Sequence, residues 1–83
     1  MKSNFKRAFN QLKAIGAPVI EGGWNGEDDT FRISAEDNSN RIWASYWDQS
    51  YGQFGISKDI VQILEDNDIW PEWINPGVIG VFS

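Results

Sequence analysis

The chain has 83 residues, twelve of them aromatic and five of those Trp, with no Cys and no His; it is the length of one small domain, 1–83, and the missing thiols and imidazoles exclude disulfides, thiolate metal sites and the commonest nucleophile–base pairs. The net charge of −5 is unevenly spread: residues 1–13 hold Lys2, Lys6, Arg7 and Lys13 with no acid, giving +4, whereas residues 14–83 hold three bases and twelve acids, giving −9. An acidic body repels phosphate backbones, which disfavours direct nucleic-acid binding.

The first element reads as a helix. Phe5, Ala8, Phe9, Leu12 and Ile15 recur at three- and four-residue steps, Ser3 or Asn4 is placed to cap the start, Gly16 suits the left-handed C′ position and Pro18 follows. Its bases lie mostly off the apolar stripe, a pattern that suits an anionic surface or, more simply, a Phe-rich face docked on a sheet. Nothing here has the apolar core of a secretory signal, and no window reaches the length of a membrane span, so a soluble cytoplasmic protein is the expectation.

Three strands are then expected: "PVIEGGWN" ending at "GEDD", "TFRISAE" ending at "DNSN", and "RIWASYWD" ending at "QSYGQFG". Each is β-branched or aromatic, and each break is rich in Gly, Asn, Asp or Ser. Gly22 and Gly23 mark a bulge or a close backbone approach, but "GGWNG" has neither the spacing nor the Lys of a phosphate loop.

Ser57 caps a second helix, with Asp59 in its first turn and Ile60, Val61, Ile63 and Leu64 as its apolar face. Glu65, Asp66 and Asp68 crowd its far end, where the macrodipole disfavours acids by about 0.3 to 1 kcal/mol each, and nothing local compensates. Pro71 is expected to stop that helix and open a short turn, "PEWI", stapled by Ile69 and Ile74. "NPGV" then reads as a type II turn into a last strand, "VIGVF". In this reading Trp73 packs against Phe5, Phe9, Ile60 and Leu64.

The fold class is therefore α+β, in the order α-β-β-β-α-β, an antiparallel meander with two helices packed on one face. The succession of the first five elements resembles that of a double-stranded-RNA-binding domain. That family's basic cluster at the start of its last helix has no counterpart in "SKDIVQIL", which carries one Lys beside one Asp, so its function does not carry over.

Enzymatic chemistry is not expected. Only carboxylates, Lys, Tyr and hydroxyls remain as reactive groups, none of them in a nucleophile motif, and no cofactor is implied. The acidic clusters, Glu27, Asp28 and Asp29 in one and Glu65, Asp66 and Asp68 in the other, match no EF-hand loop even with Glu72 added, so no metal site is assigned. In "RIWASYWD" an aromatic group stands on both strand faces, so the second face is either covered by the "QSYGQFG" loop or a chain end or made to meet a partner. Trp43, Tyr46, Trp47, Tyr51 and Trp70 are the candidate partner-binding residues.

Three functions fit these features. The first is a non-enzymatic interaction module, most simply a homodimer joined through the strand at 41–47 or edge to edge through "VIGVF". The second is an acidic decoy that occupies a basic groove on a nucleic-acid-binding protein. The third is carbohydrate recognition by exposed, coplanar Trp rings.

Overall fold

The computed structural model describes residues 1–38 and 40–83. The chain runs α1 (Ser3–Ala14), β1 (Val19–Glu21), β2 (Phe31–Ser34), α2 (Lys58–Asp66), β3 (Trp70–Asn75) and β4 (Val78–Phe82). The α+β class, the antiparallel sheet and the helices packed on it are as expected, but the order is α-β-β-α-β-β. The sheet order, β1-β2-β4-β3, joins two hairpins through β2 and β4 rather than forming a meander.

α1 buries Phe5, Ala8, Phe9 and Leu12, the expected stripe, while Ile15 lies outside the helix. Ser3 falls within α1, and no side chain caps its start. Gly16 ends it at φ +85, its N–H donating to Lys13 O at 3.0 Å while Ala17 N–H donates to Leu12 O at 3.0 Å. That pair of bonds satisfies two carbonyls that the helix end would leave orphaned. Phe5 and Phe9 meet Phe31 edge-on, at centroid distances of 6.4 and 5.4 Å, so α1 lies on the sheet face that carries Phe31, Ile33, Ile79 and Val81.

α2 starts as expected, with Ser57 Oγ accepting from Asp59 N–H. It ends before Pro71 is reached. Asp68 takes the left-handed C′ position at φ 60, a conformation that Asp tolerates better than most residues. The crowded acidic end has its compensation in α1: Arg7 Nε donates to Asn67 Oδ1 at 2.7 Å, which sets a cation where the macrodipole favours one. Buried Asn67 also donates from Nδ2 to Gln11 Oε1 and Ile63 O, and its backbone carbonyl accepts from Asn4 Nδ2, so one residue bonds the two helices together.

Two expected elements are corrected. "RIWASYWD" is not a strand: Ser45 N–H donates to Gly55 O at 2.7 Å and Ser57 N–H to Trp43 O at 2.8 Å, so this segment pairs with its own continuation as an isolated bridge and does not join the sheet. The resemblance to a double-stranded-RNA-binding domain, which rested on a third consecutive strand, ends with it. The missing strand is "WPEWIN", β3, which holds Pro71 on a sheet edge, where a residue without an N–H is tolerated. No staple forms, because Ile69 is buried whereas Ile74 is exposed. Gly77 lacks the positive φ of a type II turn; its N–H donates instead to Asn75 Oδ1 at 2.8 Å. β4 is paired on both sides, so edge-to-edge pairing through "VIGVF" has no free edge to use. Gly22, at φ +89, and Gly23, whose added Cβ would meet the Glu27 carboxylate, are a close approach just past β1. Ser39, in the expected turn at 37–40, lies outside the described residues. Among the described residues no helix is long and apolar enough to cross a membrane.

Candidate functional site: an aromatic groove beside the edge strand

The stretch between β2 and α2 folds back on itself at 42–57, and its glycines make this possible. Gly52 and Gly55 hold positive φ, and a Cβ on Gly55 would stand 2.4 Å from Ser45 O. Between them Phe54 also takes a left-handed φ of 54, although it is bulky and not a glycine. Such a residue costs about 1 to 3 kcal/mol of backbone strain and persists only where its surroundings hold it. Trp73 helps to hold it, since its indole Nε1–H donates to Phe54 O at 2.8 Å. The Phe54 ring is left 68% exposed.

The folded-back loop, the far half of α2 and β3 enclose a groove of about 850 Å³. Phe54, Trp70, Pro71 and Trp73 give it an apolar and aromatic wall, while Gln49 and Gln53 bring amides. An aromatic row adjoins it: Tyr46 meets Trp73 edge-on at 5.2 Å and Trp47 edge-on at 5.0 Å. Trp47 is 83% exposed. Three carboxylates line the groove from successive stretches of chain, Glu65 on α2, Asp68 in the connection and Glu72 on β3.

The expected partner-binding residues divide on this geometry. Trp70 lines the groove, and Tyr46 and Trp47 adjoin it. Tyr51 is half-buried and its hydroxyl donates to Ile42 O, which ties the loop to itself. Trp43 is the correction: it is 4% exposed, part of the core and covered by the Arg41 guanidinium 4.1 Å above its ring, so it offers no surface to a partner. Arg41 in turn donates to Asp59 Oδ2 at 2.9 Å, and that bond raises its pKa above the ordinary value.

Of the six acids singled out, Glu65 and Asp68 are in the groove, and Asp66 stands beside it, accepting from Gln62 Nε2. Glu27 and Asp29 line a different hollow, and Asp28 is exposed in the same β1–β2 connection. Among the described residues no three carboxylates converge closely enough to hold a metal ion. No family model, curated protein or solved structure matches this chain.

Phe54, Gln49 and Gln53 were not among the candidates, and Glu72 was weighed only as a cation ligand. The signal for Phe54 was present in "YGQFG", an aromatic residue set between two glycines, but only the bond from Trp73 reveals what it faces.

The other face of the sheet is also apolar. Ile20, Ile74 and Phe82 are partly exposed there, and Ile74 Cδ1 and the Phe82 ring lie over Gly80. Trp24 joins Ile74 and Phe82 around a hollow of about 460 Å³ that also bears Lys2, Arg32, Glu27 and Asp29.

Proposed function

We propose that this protein is a small interaction module, without chemistry of its own, that docks a polypeptide partner in the groove beside β3. The observation that carries this reading is the groove itself: about 850 Å³ of aromatic-walled space along an edge strand, with Phe54 held in a strained conformation and its ring turned out to solvent. Exposed aromatic groups are the commonest anchors of protein interfaces, and an edge strand has a row of backbone groups open to a ligand. Strain retained in a bulky residue is a mark of use, since folding alone would favour its release.

A carbohydrate fits this geometry less well. Trp70 and Trp73 are three residues apart on one strand and project to opposite faces, so they form no coplanar platform for sugar rings. The test is a quantitative pulldown from the source cells with wild-type and Trp70→Ala baits, each shown to be folded by circular dichroism. A protein partner retained by the wild type and lost by the variant supports the reading. The same partner bound equally by both baits overturns it.

Self-association is a second reading, favoured by the open sheet face. A sheet with helices on one side usually shows polar residues on the other, whereas this one sets Ile20, Ile74 and Phe82 beside Arg32 and Glu72. Dimerisation here would place sheet against sheet on the face that Trp70 and Glu72 share with Phe82, so it would adjoin the groove. Sedimentation at high micromolar concentration decides it: a dimer that dissociates in Ile74→Lys supports the reading, and a monomer under all conditions removes it.

A further inference from the structure

We infer that the segment docked beside β3 is cationic, a stretch bearing Arg or Lys next to an apolar side chain; this rests on the docking reading above. The groove is charged on one side of the balance only. Glu65, Asp68 and Glu72 line it, and no Lys or Arg does. All three are exposed, and the salt bridge of Arg41 with Asp59 takes in none of them. Arg7, the base bonded to this end of α2, is turned to Asn67 and is not part of the lining.

The spacing of these acids selects the kind of cation. Three carboxylates gathered at one point would suit a metal ion, but no such cluster exists among the described residues. Carboxylates set apart along a groove suit cationic side chains that arrive at separate positions on one chain. The wall favours the same ligand, because the faces of Trp70 and Phe54 attract a guanidinium or ammonium, and the apolar lining accepts the methylene stem that carries it. The −9 balance beyond residue 13 adds a long-range field that draws such a segment in.

The test selects peptides against the full chain from a random library displayed on phage, then uses the best of them as a synthetic probe. The selected peptides should be enriched in Arg and Lys over the starting library and should fail to bind Trp70→Ala. The probe's affinity should fall about tenfold or more in the triple variant Glu65→Gln, Asp68→Asn, Glu72→Gln, and again on moving from low salt to about 0.5 M salt. Peptides that need Trp70 but are indifferent to the triple variant and to salt overturn the cationic ligand and leave the docking groove standing. Basic peptides that bind Trp70→Ala and Phe54→Ala as tightly as the wild type overturn both readings, since they would be held elsewhere. A library that yields no binder overturns the cationic inference alone if the pulldown still finds a partner that Trp70→Ala loses. The substituted residues are all exposed, and circular dichroism of each variant separates lost binding from lost fold.

Discussion

Trp43 and Trp73 carry opposite roles from those their neighbours in sequence suggest. Trp43 sits in a stretch that alternates like a half-exposed strand, yet it is buried; Trp73 follows a proline turn signal, yet it is only half-buried, at the rim of the core. Truncating Trp43 to Ala should therefore cost about 3 to 5 kcal/mol and leave a domain of this size largely unfolded. Trp73→Ala should cost clearly less while freeing Phe54, and urea unfolding of the two variants checks the order. Phe54→Gly removes the misfit between a bulky side chain and a left-handed φ. It should raise stability by about 1 kcal/mol and weaken binding in the groove, a trade measured by unfolding and by titration with the selected probe. Asn67→Ala strips Arg7 and Gln11 of their bonding partner inside the helix contact, and a loss of about 1 to 3 kcal/mol is expected on thermal unfolding.

Among the elements, the helices were the most readable. α1 and α2 follow from apolar spacing with a stop or start residue beside it, Gly16 for one and Ser57 for the other, and such signals need no tertiary context. β1 and β2 were readable in place, though shorter than expected. The third strand failed because β-propensity describes a residue's fit to a half-buried surface, and the segment at 41–48 finds that surface against its own loop. β3 went unseen because Pro71 is also a helix-start residue, and only the completed sheet shows that β3 is an edge. The groove shared that fate: Trp70, Glu65 and Asp68 were visible as candidates, but the loop that faces them is held by glycine geometry and one indole bond. Gly55→Ala tests that device. Its Cβ would meet Ser45 O at 2.4 Å in a backbone of φ +83, so the loop should lift, with a loss of about 1 to 3 kcal/mol and a fall in probe binding.

At the scale of the molecule, apolar surface remains uncovered on two sides of the sheet, at the groove and over Gly80. Three of the five tryptophans, Trp24, Trp47 and Trp70, stand at least half exposed. A neutral quencher should therefore reach most of the fluorescence, leaving a protected fraction that shrinks in a Trp43 variant which still folds, such as Trp43→Phe, and keeps only the part due to half-buried Trp73. The order of the strands has a consequence for how this molecule comes together. β4, the last of these strands, is one of the two inner strands of the sheet and the link within it between the hairpin of β1 and β2 and its own partner β3. Joining Arg32 to Gly80 closes a long loop that contains the whole of α2, an entropic step taken before most of the reward arrives. The hairpins and helices are local and fast by comparison. Until Phe82 is free, the two halves of the chain meet only through the helices, at Asn67, so one late zippering event at the centre of the sheet should set the speed of folding.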